Sequence, residues 1–231
     1  MDVGIIGSGN IGSALARNLK ARGHHVLIAN SRGPSTLAEF AAETGVVAAT
    51  VAQAAQAADL VIIAIPQLAV TQLPLDVLRA NRAVVVDAGN YYPTRDGVVA
   101  QVEAGATDSE WIASVLGRPV IKAFNNILAE SLAERGNRGG AGERIALSVA
   151  GDNENDKQLV QGVIRELGFD AVDGGALSES WRQQPGTPAY CKDLNASQLE
   201  AALASASKAE IGNYREAADR AAAPYLSPFK G

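Results

Sequence analysis

Short apolar runs punctuate the chain, and most lead into a segment whose apolar positions recur at helical spacing. Val3-Gly-Ile-Ile6 precedes residues 10–22, where Ile11, Leu15 and Leu19 share one helical face. Followed to the end, this pattern predicts strands near 2–6, 25–30, 46–49, 60–65, 83–87, 119–123, 144–150 and 169–173. It predicts helices near 10–22, 35–44, 51–57, 68–80, 108–116, 126–135 and 154–167. Strands and helices in alternation build a doubly wound, mostly parallel α/β sheet. Pro66 closes the fourth strand, and Pro74 predicts an irregular turn before a short helix. The glycine-rich stretch from Arg135 to Gly142 reads as a surface loop, without the Gly-Lys-Ser/Thr ending of a P-loop. Beyond residue 174 the texture changes. Residues 174–189 are rich in turn formers, and 196–222 are alanine-rich and helix-favouring, with a break expected at Gly212. The division expected is an α/β unit over residues 1–180 and a small helical C-terminal region over 181–231.

Where the first strand meets the first helix the chain reads Gly7-Ser8-Gly9-Asn10-Ile11-Gly12, the spacing G-x-G-x-x-G. Gly7 permits a tight turn, Gly9 lets backbone approach a pyrophosphate, and Gly12 lets the helix pack against the strand. The opening turn of the helix then offers free N–H groups and a partial positive charge to phosphates. The apolar strand before, the amphipathic helix after and a second strand at Val26-Leu-Ile-Ala29 supply the context of a Rossmann-type dinucleotide site.

The end of the second strand indicates which dinucleotide. Sites for NAD usually place Asp or Glu there to hold the ribose 2′-hydroxyl. This chain has Asn30-Ser31-Arg32, so no carboxylate repels a 2′-phosphate. Arg32 brings a planar fork of donors suited to phosphate oxygens, and Ser31 and Ser35 add hydroxyls. NADP(H) is expected over NAD(H).

With 231 residues, 47% of them hydrophobic, the chain suits one α/β unit plus a small appendage. A net charge of −5 argues against broad nucleic-acid binding. Cys191 is the sole cysteine, which rules out an internal disulfide and fits a reducing compartment. No apolar run approaches the roughly 20 residues that span a bilayer, and the first strand begins almost at Met1, leaving no room for a signal peptide. A cytoplasmic protein with neither membrane nor nucleic-acid partner is expected.

In an open parallel sheet, ligands lie beyond the carboxyl ends of the strands. Those ends carry Gly7 to Ile11, Asn30 to Arg32, Ala64-Ile65-Pro66, Asp87 to Asn90, and Lys122-Ala123-Phe124-Asn125. His24, His25 and Asp59 precede strands and fall on the opposite rim, away from any site. Asp87 is expected to bond loop amides around Gly89. Lys122 either orients a substrate or neutralises a phosphate, or ties down the loop at 87–92. Cys191 reads as a core residue of the tail, since no histidine is placed to activate it. Thus no catalytic acid, base or metal ligand is expected. Hydride transfer between two redox cofactors suits such a site, because juxtaposed carbons need little proton transfer. Two alternatives stay open: an NADP(H)-dependent reductase of a small metabolite, like pyrroline-5-carboxylate reductase, and a non-catalytic NADP(H) sensor.

Taken in order, Gly7 to Gly12, Asn30-Ser-Arg32, Ala64-Ile-Pro66, Asp87-Ala-Gly-Asn90, Val120-Ile-Lys-Ala-Phe-Asn125 and Val149-Ala-Gly-Asp152 form a set. On these motifs the chain resembles the coenzyme F420-dependent NADP oxidoreductase family over about residues 1–180. Its nucleotide-binding part is also similar to the reductase domain of the STEAP ferric reductases. The resemblance implies a Rossmann domain for NADP(H), a C-terminal region that covers the acceptor site, and a homodimer. It implies hydride transfer between the nicotinamide and a deazaflavin, coenzyme F420, with a flavin as the other small-molecule redox acceptor considered. Ser8, Gly9, Asn10 and Ile11 would line the pyrophosphate and nicotinamide ribose. Ser31 and Arg32 would hold the 2′-phosphate, and Ile65 and Pro66 would wall the nicotinamide. Ala123 and Asn125 would fix its carboxamide or frame the acceptor pocket. Where family members often place a lysine after the Ser-Arg pair, this chain has Gly33-Pro-Ser-Thr36, so that phosphate contact is either lost or replaced by Ser35.

Overall fold

The computed structural model describes residues 1–136 and 144–228. Most of the glycine-rich connector at 135–142 therefore lies outside the described residues. The chain opens with β1 (Asp2–Ile6), α1 (Asn10–Ala21), β2 (His25–Ala29), α2 (Ala38–Thr44) and β3 (Val47–Ala48). It continues through α3 (Val51–Ala54), β4 (Leu60–Ile63), α4 (Leu75–Ala80) and β5 (Val84–Asp87). Three helices follow, α5 (Pro93–Asp96), α6 (Ala100–Glu103) and α7 (Asp108–Leu116), before β6 (Ile121–Lys122) and α8 (Ala129–Glu134). The last elements are β7 (Ala146–Val149), α9 (Glu154–Glu166), β8 (Asp170–Asp173), α10 (Ala196–Ser205) and α11 (Ile211–Ala222).

Six strands form one parallel sheet in the order β3-β2-β1-β4-β5-β6, the Rossmann order. The inner strands are apolar without alternation because helices cover both faces. Leu60 and Ile62 of β4 face one core with Leu15, Leu19, Ile164 and Phe169. Val61 and Ile63 face the other with Leu78, Ile112 and Leu116. The pairings set Ala29, Ile6, Ile63, Asp87 and Lys122 in one row across the sheet. The loops that follow these residues therefore leave side by side along a single rim.

The structure departs from the sequence pattern in several places. β7 and β8 pair with each other in a separate two-stranded parallel sheet. They join the main sheet through an antiparallel bridge, in which Lys122 and Ala150 exchange backbone hydrogen bonds of 2.8 and 3.0 Å. β6 is short because the chain bends at Phe124, which is fully buried with φ 63°. Residues 35–44 and 68–80 each begin as 3-10 turns, Pro34–Leu37 and Gln67–Gln72, before α-helix sets in. Pro74 stands at the second join, just ahead of α4. The tail breaks at Ala206, which is extended and buried, and not at Gly212. Gly212 lies inside α11, exposed, where no turn asks for its freedom. Asn195 starts α10 with a capping box completed by Gln198. Leu199 and Leu203 of that helix pack with Ala146 and Val172, so the tail closes over the β7–β8 sheet.

Asp87 and Lys122, one strand apart, are buried and joined at 3.0 Å. Lys122 Nζ also donates to Gly89 O at 2.7 Å, and Ser109 Oγ donates to Asp87 Oδ2 at 2.7 Å. Gly89 N donates to Asp87 Oδ1 at 2.9 Å. Lys122 thus ties the 87–92 loop to the sheet, and Asp87 bonds the loop amide expected of it. Lys122→Met leaves the Asp87 carboxylate buried without its cation, and is expected to lower unfolding free energy by about 3–5 kcal/mol in urea denaturation.

Candidate functional site

The glycine loop is built by contact between backbones. Gly7 has φ +116°, and its N–H donates to Ala29 O at 2.8 Å. A Cβ on Gly7 would lie 2.2 Å from Ala64 O, and one on Gly12 would lie 1.9 Å from Gly7 O. Only glycine lets β1, the start of α1 and the end of β4 meet this closely. Gly9 differs. It precedes α1 in an extended conformation, and a Cβ there would meet nothing within 4 Å. No side chain caps α1 and no acidic residue occupies its first turn, so its leading N–H groups and positive dipole end are left for an anion.

Beside this loop, the Asn30 side chain organises the end of β2. Its Nδ2 donates to Ser8 Oγ at 3.1 Å and to Thr36 Oγ1 at 3.0 Å, and its Oδ1 accepts from Arg32 N at 2.9 Å. Thr36 Oγ1 further donates to Gly33 O at 2.8 Å. The turn at 30–36 is therefore folded on itself and pinned to the glycine loop. Ser31 and Arg32 project from it, both exposed. The Arg32 guanidinium makes no hydrogen bond or ion pair with the described residues, and no carboxylate lines the neighbouring cleft.

That cleft has a volume of about 900 Å³. Gly7, Ser8, Gly9, Asn30, Ser31, Arg32, Ala64, Ile65 and Pro66 line it, together with Ile6, Val51, Ala52, Ala69, Gln72, Leu73 and Pro74. The last group escapes sequence reasoning, since, Gln72 apart, these are apolar residues at the end of a strand, the start of a helix and a 3-10 turn, with no chemical signature. Asn10, Ile11, Gly12, Ser35, Asn90, Ala123 and Asn125 are not among the lining residues. Asn10 and Ile11 open α1, Ile11 half-buried against the core, and Gly12 is buried behind them. Ser35 is exposed on the Pro34–Leu37 turn. Ala123 is fully buried.

Asn90 and Asn125 belong to a second cluster, at the ends of β5 and β6. Asn125 Nδ2 donates to Asn90 Oδ1 at 3.0 Å and Gln183 O at 2.8 Å. Gln183 Nε2 returns a bond to Asn125 Oδ1 at 2.8 Å, which fastens the tail to the rim. Asn90 Nδ2 donates to Asn125 O at 3.1 Å and Tyr190 OH at 3.4 Å. The hydroxyls of Tyr92 and Tyr190 lie 2.6 Å apart. Burial pushes both phenols and the Cys191 thiol above their ordinary ranges. Burial likewise raises the Asp108 carboxyl, which accepts Tyr91 N at 3.1 Å. Between the two clusters, Gln67 is buried with no partner among the described residues for either amide atom. Its Nε2 and Ile65 O both lie 3.1 Å from where a Gly89 Cβ would be, so the β4 wall of the cleft abuts the β5 loop.

On the far rim His24 contacts the chain N-terminus and Glu166, and His25 contacts Asp2 at 2.7 Å. Asp59 accepts from Asp2 N. These groups serve the fold. Among the described residues no cluster of three His, Cys, Asp or Glu side chains could hold a metal, and no helix is long and apolar enough to cross a membrane.

A family described as NADP oxidoreductase, coenzyme F420-dependent, matches residues 2–91, the segment that holds the glycine loop, the 30–36 turn and the β4 wall. The hypothetical protein SMa0349 from Sinorhizobium meliloti is 33% identical and superimposes with a TM-score of 0.71 over 84% of this chain and 96% of that one. Over residues 2–91 the chain belongs to the coenzyme F420-dependent NADP oxidoreductase family. YjhV of Escherichia coli (strain K12) is 39% identical over 93 residues, which cover 40% of this chain and 61% of that protein. A proposed F420-dependent NADP reductase from Arthrobacter sp. FB24 shares the fold at 23% identity, with a TM-score of 0.64 over 78% of this chain and 87% of that one.

The glycines separate scaffold from site. Gly12→Ala drives a methyl into the Gly7 carbonyl and is expected to cost about 1–3 kcal/mol or more of stability. Gly9→Ala meets open space and is expected to stay within about 0.5 kcal/mol of wild type in the same denaturation assay.

Proposed function

We propose that the protein is an NADP(H)-dependent oxidoreductase that passes a hydride between the nicotinamide and coenzyme F420 or a flavin-like acceptor. The observation that carries the cofactor half is the cleft. An uncapped helix start behind an open Gly9 adjoins an unpaired Arg32, with no carboxylate beside it. Gly9 and the first turn of α1 would receive the diphosphate, as the dipole and free N–H groups there favour. Arg32 and Ser31 would take the 2′-phosphate, the guanidinium fork matching phosphate oxygens in two places. Asn30 holds the turn that presents them. Ile65, Pro66 and Ala64 would form an apolar wall for the nicotinamide, which supplies hydride chemistry when bound.

The acceptor half rests on family membership and on the scarcity of proton-transfer groups along the cleft. Two redox rings brought face to face need orientation and exclusion of water more than acid–base help. A cleft of about 900 Å³ holds a dinucleotide and leaves the β5–β6 rim for the second ring.

Arg32→Ala is expected to weaken NADP⁺ binding by about 1–3 kcal/mol in calorimetric titration and to leave NAD⁺ binding unchanged. Equal weakening of both cofactors would remove the 2′-phosphate assignment. Gly9→Ala, folded as wild type, is expected to lose about tenfold or more in affinity for both dinucleotides. Loss of absorbance at 340 nm when NADPH meets F420 or FMN tests the acceptor; no loss with either excludes it.

A further inference from the structure

The Arg32 guanidinium has no partner among the described residues, so only the backbone beneath it fixes where the side chain starts. That backbone belongs to a turn with little stiffness of its own. Gly33 has φ +91° and open space where a Cβ would be, and the bond from Gly33 N to Asn30 O is long at 3.4 Å. Side chains supply the closure. Thr36 Oγ1 has one proton to give, and the Gly33 carbonyl at 2.8 Å is a nearer acceptor than Asn30 Oδ1 at 3.2 Å. The same hydroxyl accepts from Asn30 Nδ2 at 3.0 Å. Asn30 Oδ1 in turn accepts Arg32 N at 2.9 Å, and Asn30 Nδ2 also donates to Ser8 Oγ at 3.1 Å. Thr36 thus bridges the start and the middle of the turn. Its own footing is firm, because the next residue, Leu37, is buried in the core cluster that holds Leu15 and Ile28. Asn30, Ser31 and Arg32 line the cleft, whereas Thr36 does not.

We propose that Thr36 is a positioning residue for cofactor choice: acting through Asn30 and Gly33, its hydroxyl holds the 30–36 turn in the form that presents Ser31 and Arg32 to a 2′-phosphate, and it touches no ligand itself. This rests on the reading of that turn as the 2′-phosphate subsite. Apparent affinity falls with the fraction of time a site spends in its binding-competent form. A turn without its hydroxyl closure spends part of its time with Arg32 displaced. NADP⁺ then loses affinity, because its extra phosphate needs the guanidinium. NAD⁺ loses nothing, since it has no group that Arg32 is placed to meet. The Asn30–Ser8 bond also ties the turn to the glycine loop, so the two phosphate subsites keep a set spacing. Thr36 is exposed, and water replaces its bonds at little cost in folding stability. Discrimination between the cofactors and stability of the fold are therefore separable at this residue.

The test uses the full chain and calorimetric titration with NADP⁺, NAD⁺ and adenosine 2′,5′-bisphosphate. Thr36→Val keeps the shape of the side chain and removes the hydroxyl. It is expected to melt as wild type does and to bind NAD⁺ unchanged. For NADP⁺ and adenosine 2′,5′-bisphosphate it is expected to lose about threefold to tenfold in affinity, the scale for one hydrogen bond. Thr36→Ser keeps the hydroxyl and is expected to stay within about twofold of wild type for all three. Added to Ser31→Ala and Arg32→Ala together, Thr36→Val is expected to change nothing further, because the groups it positions are gone. Should Thr36→Val fail to fold, Thr36→Ala carries the same expectations. Wild-type affinity for NADP⁺ without the hydroxyl overturns the positioning role. Equal weakening of NADP⁺ and NAD⁺ overturns it as well, making Thr36 part of the general scaffold. So does a further loss on the double background, which would put Thr36 on the ligand itself, or a loss in Thr36→Ser as large as in Thr36→Val, which would trace the effect to shape. Arg32→Ala that binds NADP⁺ as wild type does overturns the 2′-phosphate reading on which the role of Thr36 rests.

Discussion

Three backbones converge at Gly7, and everything on the carboxyl rim is placed by that convergence. Gly12 presses against the Gly7 carbonyl and Gly7 against the Ala64 carbonyl, at separations no Cβ would survive. The first helix is thereby locked against the first and fourth strands at its very start. Its uncapped end then opens onto the rim at a fixed point. Gly9, held between two crowded glycines yet itself uncrowded, becomes the place where a ligand can approach backbone closely. One sequence motif thus divides its labour: two glycines serve packing and one serves access.

A second constraint sets the other half of the rim. Burying Asp87 and Lys122 in adjacent strands is costly in desolvation, and such a pair is rarely a net source of stability. Its effect here is geometric. The lysine reaches past the carboxylate to the Gly89 carbonyl, and Ser109 of α7 donates to the Asp87 carboxylate. The 87–92 loop cannot swing away, and Asn90 and Tyr92 stand where Asn125, Gln183 and Tyr190 can meet them. The buried ion pair acts as a locator for the neutral groups of this half of the rim.

The two halves of the rim differ in kind. Around β1 and β2 the groups are backbone amides, a guanidinium and hydroxyls, suited to phosphates. Around β5 and β6 they are amides and phenols, suited to uncharged polar atoms of a ring. Such a division matches a charged dinucleotide tail on one side and a neutral redox ring on the other. The tail residues 183–191 complete the neutral half, so the small helical region contributes to the rim as well as covering the β7–β8 sheet.

Local rules in the sequence sufficed for the parallel α/β architecture, the glycine loop, the missing carboxylate after β2 and the irregular turn at Pro74. Each is written in neighbouring residues: apolar runs fix strands, glycine spacing fixes a turn, and one side chain's charge is legible wherever it sits. The sequence also named Asp87 and Lys122 but left the role of the lysine open, since reaching Gly89 depends on strands 35 residues apart lying side by side. Only the tertiary structure decided that β7 and β8 stand apart, that the tail breaks at Ala206, and that Tyr92 meets Tyr190. Nothing near Tyr190 announces a partner 98 residues earlier. A contact of that kind exists only once the sheet has set both segments on one rim, and packing, not periodicity, makes that choice.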